Sequence, residues 1–318
     1  MNPVRSSHIK KPFIARRSIP FIKKASNGAN ITGKTKILGI FGRPISHTLS
    51  PAMHNAVMKA LGLDMVYLPF EVKPSNLRGA VKGIKSLGMI GVNITTPHKE
   101  AVIKFLDSIS EDVKLIGAVN TIVNKNGQLI GHNTDGYGYI ASLKEELGFN
   151  PKGKKMVILG AGGAARGIII ALAAKKPKSI TVANRTLSRA ISLIKTFKGK
   201  FSGIAFQAIG LDGENLRAYF EDTNLLINTT SVGMKKNEAL KIPLDALPKR
   251  TIVSDIIYNP LETALLKKAA KLGLATHPGL GMLIHQGALS FKLWTGIDAP
   301  IDIMRKAALK ALKMGGGR

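Results

Sequence analysis

The chain has 318 residues, 45 % of them hydrophobic, with no cysteine and 47 Lys and Arg against 19 Asp and Glu, a formal charge of +28 at pH 7. That length predicts two units with cores of their own, and the missing cysteine excludes disulfides, zinc-thiolate sites and thiol nucleophiles. The longest apolar stretch, GIIIALAA at 167–174, is far short of the ~20 residues that cross a bilayer, and the charge calls for an anionic ligand or surface without saying which.

The first 36 residues carry nine Lys and Arg and no acid. Residues 1–33 are read as a basic, disordered extension, with organellar targeting as the alternative role; the rest is expected in the cytoplasm, which absence of cysteine fits. From Lys36 the pattern turns regular. KILGIFG reads as a strand, SPAMHNAVMKALGL as a helix capped by Ser50 with Pro51 in its first turn, and MVYLPFEV as the next strand. PSNLRGAVKGIKSLG is helical by its Leu77, Val81, Ile84 spacing, and GVNIT is a third strand, so the opening is βαβαβ and predicts a parallel sheet. That strand runs into Pro97 and delivers Lys99 where a helix is expected to begin. A cation is disfavoured at a helix start, so Lys99 calls for another explanation.

Residues 118–136 contain two alternating runs around Asn126-Gly127, a hairpin signal, and end in Asn133, Thr134, Asp135 and Gly136. A helix over 137–148 follows, where Asp135 could serve as the cap. The unit boundary is placed near Asp135, and a second βαβ series begins at Lys155. It opens with VILGAGGAARG, a strand, a glycine turn and a helix start with Gly160, Gly162 and Ala165 in the positions of a dinucleotide fingerprint. Gly160, Ala161, Gly162, Gly163 and Ala164 are candidate pyrophosphate contacts, because a glycine backbone can approach closely and a helix N-terminus supplies donors.

The next strand chooses the cofactor. An NAD site places an acid on the ribose ~20 residues past the glycines, yet no Asp or Glu occurs between Glu146 and Asp212. Asn184, Arg185, Thr186 and Arg189 stand there instead, and guanidinium suits a 2′-phosphate. NADP is expected. The tail after 277 is helical and long enough to reach back to the first unit.

HTLSPAMHN, NITTPHK, AVNT, NTDGYG, GAGGAAR, NRT, DIIYNP and GLGMLIHQGA occur in this order and together resemble the shikimate dehydrogenase family, from about Ile37 to Pro300. The resemblance implies an α/β fold. Residues 34–135 with 277–318 would form a βα substrate unit, and 136–276 a Rossmann-type, doubly wound parallel-sheet NADP unit, with the C-terminal helices returning to the first. It implies reduction of 3-dehydroshikimate to shikimate with NADPH, with Lys99 and Asp135 as the catalytic pair that handles the proton and orients the hydroxyl. An ordinary lysine is a poor base at neutral pH, so its surroundings must tune it or make it mainly an electrostatic group. Thr48 and Ser50 would take the carboxylate with Tyr258 nearby; Thr95, Asn120 and Gln286 would read ring hydroxyls; Ile256 and Gly279 would line the nicotinamide. The family more often has serine where Thr48 stands, which bears on the choice between shikimate and quinate.

Histidine is the common side chain for acid–base work near neutral pH, so His98 rivals Lys99 for the proton; the family pattern assigns it to packing or to support of the site from behind. His54, His277 and His285 lack carboxylates at metal-ligand spacing, so no metal is expected. A quinate/shikimate enzyme using NAD would resemble this chain but carry an acid after Asn184-Arg185. Nucleic-acid binding, suggested by the charge, is not expected, because aromatic residues are only 5 % of the chain and stacking platforms are scarce. A homodimer is the assembly to test.

Overall fold

The computed structural model describes residues 31–235 and 238–315; the expectation for the basic opening segment lies outside them, apart from 31–33. The chain opens with β1 (Lys36–Gly42), α1 (Ser50–Ala60), β2 (Met65–Glu71), α2 (Leu77–Ser86) and β3 (Gly91–Ile94). β1 pairs in parallel with β2 on one side and β3 on the other. α2 is a crossover because Leu77, Val81 and Ile84 fall on one face at helical spacing and bury there. β4 (Ser108–Ile109), α3 (Glu111–Ile116), β5 (Thr121–Lys125) and β6 (Gln128–His132) complete the first sheet in the order β2-β1-β3-β5-β6-β4.

Asn126 and Gly127 both take positive φ, 52° and 84°, which is what a two-residue hairpin between β5 and β6 requires. β5 lies antiparallel to β3. The βαβαβ opening is parallel, as its pattern predicts, and the sheet as a whole is mixed because an antiparallel hairpin joins it at the free edge of β3. Two local expectations change. α1 begins at Ser50, with Leu49 at the cap position and no side-chain cap, and no helix begins at Lys99, which sits among turns after β3.

α4 (Asp135–Leu147) leads out of the first sheet. Then come β7 (Lys155–Leu159), α5 (Gly163–Ala173), β8 (Ser179–Asn184), α6 (Leu187–Phe197), β9 (Ala205–Gly210), α7 (Gly213–Phe220), β10 (Leu225–Asn228), β11 (Ile252–Asp255), α8 (Ala264–Lys271) and β12 (Ala275–His277). All six strands are parallel, in the order β12-β11-β10-β7-β8-β9. The direction of winding reverses between β7 and β10, the crevice where doubly wound sheets bind ligands. Central strands buried on both faces must be apolar throughout. Met156 and Ile158 of β7 accordingly pack with Ile168 and Leu172 of α5, and Val157 and Leu159 pack with Leu216, Phe220 and Leu265.

α9 (Leu280–Thr295) and α10 (Ile301–Gly315) return to the first sheet. Phe291, Trp294 and Met304 share a core with Leu38, Met53, Val57 and Tyr67. Trp294 Nε1 donates to the Ile122 carbonyl at 2.9 Å. Only a glycine fits below it: a Cβ on Gly91 would lie 2.4 Å from that nitrogen.

Candidate active site

The site lies at the seam of the two sheets, and α4 makes the seam. Its first residues are small where neighbours press closest. A Cβ on Gly136 would stand 2.2 Å from the Gly167 carbonyl of α5, and one on Gly138 2.5 Å from the backbone nitrogen of Gln286 on α9. α4 is thus wedged between the helix that follows the glycine turn and the helix that carries Gln286, and Asp135 is its first residue.

Asp135 does not cap its helix. Its carboxylate is 11 % exposed and turns toward Lys99, whose Nζ donates to Oδ2 at 2.6 Å. Asn120 Nδ2 donates to Oδ1 at 2.9 Å. A carboxylate so withdrawn from water needs both partners. Lys99 is brought there by its backbone, because its carbonyl accepts from the Val119 amide (2.8 Å) beside Asn120. Turn geometry and a carboxylate 36 positions away explain this cation, with no helix terminus involved.

Asn120 is almost fully buried and reads its surroundings from both ends of its amide. Oδ1 accepts the Thr134 N–H (2.8 Å) and the Thr121 hydroxyl (2.9 Å); Nδ2 reaches Asp135, Thr134 Oγ1 (2.9 Å) and Gln286 Oε1 (3.3 Å). Gln286 Nε2 is held by the Leu283 carbonyl at 2.8 Å. Thr95, half-buried, follows β3 with its amide on the Phe41 carbonyl (2.9 Å). Thr48 Oγ1 lies 3.3 Å from Ser50 Oγ and also accepts the Ser50 amide, so two hydroxyls stand together at the start of α1. Tyr258 packs against the core shared by α1 and α9, and burial pushes its phenol pKa up.

His98 is buried with Nε2 on the Val72 carbonyl at 2.8 Å. His285 pairs with Glu145, and His277 has Glu146 at 3.6 Å, partners that the linear spacing hid. Arg305 of α10 also binds both glutamates, and among the described residues no three His, Asp or Glu side chains converge as metal ligands would.

The cofactor candidates gather at the other side of α4. Gly160 has φ +106° and its Cβ would strike Thr229 Oγ1 at 2.8 Å, so the turn after β7 admits only glycine. A Cβ on Gly162 or Gly163 would meet open space; the backbone there is bare at the N-terminus of α5, as a bound pyrophosphate needs. Ala161 and Ala164 flank it, half-buried. Asn184 closes β8 and donates to the Thr186 carbonyl at 2.8 Å. Arg185 and Arg189 are exposed beside it, without an ion-pair partner among the described residues. These residues fit a 2′-phosphorylated dinucleotide. Gly279 rests on Ile256, whose carbonyl would lie 2.1 Å from a Cβ. Close backbone approach, rather than turn conformation, makes that position glycine.

The sequence reading missed Asn93 and Thr134. Asn93 is buried in β3, its amide bonded to the Asn120 carbonyl (3.0 Å), and Thr134 joins Asn120 to the Gln286 carbonyl (3.0 Å). An asparagine within GVNI, a strand otherwise apolar, was the available signal, since a buried amide must find partners.

Three family models match the chain: the shikimate dehydrogenase substrate binding domain over residues 40–122, shikimate / quinate 5-dehydrogenase over 142–256, and the shikimate 5'-dehydrogenase C-terminal domain over 279–309. A shikimate dehydrogenase (NADP(+)) of Methanopyrus kandleri is 46 % identical over 290 residues, covering 91 % of this chain and 100 % of that one. A crystal structure of shikimate dehydrogenase in complex with NADP+ superposes with a TM-score of 0.82 at 43 % identity, covering 89 % of this chain and 97 % of its own. The Listeria monocytogenes shikimate 5-dehydrogenase in complex with shikimate and NAD gives 0.83 at 41 %, covering 87 % and 97 %. Similarity at this level, spread over both sheets and the returning helices, is that of homologues, and the chain belongs to the shikimate dehydrogenase family.

Proposed function

We propose that this chain catalyses the reversible NADPH-dependent reduction of 3-dehydroshikimate to shikimate, with 34–135 and 277–318 serving the substrate and 136–276 the cofactor. The observation that carries this reading is the Lys99–Asp135–Asn120 constellation, set one residue from Gly136, which rests on α5 one turn beyond the glycine cradle. The nicotinamide supplies the hydride when bound; the chain's own residues handle everything else.

Reduction of a ketone leaves an alkoxide that must gain a proton, and oxidation must remove one. Lys99 does both, its ammonium donating to the reacting oxygen, with Asp135 holding the Nζ in place and balancing its charge. Asn120 keeps the carboxylate turned toward the lysine. Thr48 and Ser50 donate to the substrate carboxylate, with Tyr258 beside them, and Thr95, Asn120 and Gln286 bind ring hydroxyls. Gly160, Ala161, Gly162, Gly163 and Ala164 cradle the pyrophosphate. Asn184, Arg185, Thr186 and Arg189 take the adenosine end with its 2′-phosphate, and Ile256 and Gly279 face the nicotinamide. Thr48 keeps the hydroxyl and adds a methyl at the carboxylate end, where quinate has a tetrahedral, hydroxylated C1 and shikimate a trigonal one, so this position bears on the choice between them.

The test is four efficiencies, for shikimate and quinate each with NADP+ and NAD+. Shikimate with NADP+ is expected to exceed the others. Equal or better turnover with NAD+ removes the cofactor assignment, and quinate exceeding shikimate changes the substrate.

A further inference from the structure

Beneath the site lies a buried polar chain that the catalytic description leaves unused. Tyr67 of β2 is fully buried and its hydroxyl donates to Asn93 Oδ1 at 2.7 Å, reaching across β1. With its oxygen so occupied, Asn93 presents Nδ2 to the Asn120 carbonyl (3.0 Å), to Ser290 Oγ (3.1 Å) of α9 and to Thr121 Oγ1 (3.2 Å) of β5. Asn93 and Thr121 are register partners in the β3–β5 ladder. Ser290 Oγ lies 2.7 Å from Thr121 Oγ1 and 2.9 Å from the Gln286 carbonyl; that carbonyl accepts from Thr134 Oγ1 at 3.0 Å, which leaves the single Ser290 proton for Thr121. Neither Thr121 nor Ser290 has any exposed surface.

The chemistry of the donors gives this chain one direction. An amide NH2 can only donate, so it makes the Thr121 oxygen an acceptor, and with the Ser290 hydroxyl donating to the same oxygen the single Thr121 proton turns outward. That proton meets Asn120 Oδ1 at 2.9 Å. Asn120 must then aim Nδ2 at Asp135 Oδ1, 2.9 Å away. The sequence of donors is Tyr67, Asn93, Thr121, Asn120, ending on the carboxylate that holds Lys99.

We propose that Thr121, oriented by Tyr67 through Asn93, is a positioning residue that works with the Thr134 amide to keep the Asn120 carboxamide facing one way and so holds Asp135 against Lys99. The inference rests on the dehydrogenase reading above for its effect on turnover, but its structural content does not. The Thr134 amide also donates to Asn120 Oδ1 (2.8 Å), so loss of the Thr121 hydroxyl loosens the amide without freeing it. The expected effect is about ten-fold in kcat, the scale of one buried hydrogen bond.

The experiment compares Thr121→Val, which keeps the shape and removes the hydroxyl, with Thr121→Ser, which keeps the hydroxyl, in the full chain. Turnover of shikimate with NADP+ is measured, and the Asn120 side-chain NH2 signals are followed by 15N NMR. Thr121→Val should lower kcat about ten-fold, leave the KM for NADP+ within two-fold, and move the Asn120 signals; Thr121→Ser should restore both. Tyr67→Phe, which breaks the chain at its first donor, should move the same signals with a smaller loss of kcat. Unmoved Asn120 signals in a folded Thr121→Val protein overturn the proposal, as does a Thr121→Ser protein that behaves like Thr121→Val. If the unmodified protein turns over no shikimate, the dehydrogenase reading fails, and the NMR comparison still decides the orientation of Asn120.

Discussion

His54 should make this protein lose stability in mild acid by an amount that a single substitution reveals. It is fully buried on α1, stacked on Tyr67 with ring centroids 4.4 Å apart, and among the described residues neither ring nitrogen has a hydrogen-bond partner. Burial lowers its pKa from 6.5 to about 3. Above pH 6.5 the ring is neutral folded and unfolded, and it contributes no pH dependence. Below 6.5 the unfolded chain takes up a proton that the folded one refuses, so stability falls with falling pH until about pH 3. At about 1.4 kcal/mol per pH unit, the one and a half units down to pH 5 remove about 2 kcal/mol. His277, lowered to about 4 by burial and by His285, behaves similarly, but Glu146 at 3.6 Å can steady its charged form, so His54 is the cleaner probe. His54→Leu loses the stacked ring and also two unpartnered nitrogens, effects that oppose each other at pH 7. The decisive quantity is the change in urea-unfolding free energy between pH 7 and pH 5. The variant should lose about 2 kcal/mol less than the parent over that interval. Equal losses would show that His54 is not held neutral by its surroundings.

Other expectations concern the site. Lys99→Met should depress kcat by ~10²-fold or more with shikimate affinity changed much less, whereas His98→Ala should keep near-parental kcat in whatever fraction folds; the reverse pattern in steady-state kinetics would move the proton to the imidazole. Arg185→Ala should weaken NADP+ by roughly 1.5 to 3 kcal/mol and NAD+ far less, and equal weakening of the two in binding titrations would contradict the 2′-phosphate assignment. Gly279→Ala drives a methyl into the Ile256 carbonyl and should cost about 1–3 kcal/mol or more, read as a lower Tm together with a raised KM for the cofactor; an unchanged Tm would mean that the backbone yields there.

Read alone, the sequence determined whatever depends on near neighbours. The glycine turn after β7 was legible because Gly160 must take φ +106° and few residues can. The β5–β6 hairpin was legible because Asn126-Gly127 tolerates two positive φ values. The cofactor expectation followed from acids absent over one stretch, and family resemblance supplied the pairing of Lys99 with Asp135. What only the tertiary structure decided is long-range. The two strands of a hairpin run in opposite directions, and which of them docks, and on which edge, is settled by packing, so the antiparallel β3–β5 pair could not be read from a βαβαβ pattern. No periodicity says that Lys99 lies 2.6 Å from Asp135 without a helix start to hold it, or that Asn93, Thr121 and Ser290, distant in sequence, share one set of hydrogen bonds. A buried polar side chain announces only that it needs a partner; packing of β3, β5 and α9 against one another chooses the partner, and with it the direction in which Asn120 faces the carboxylate.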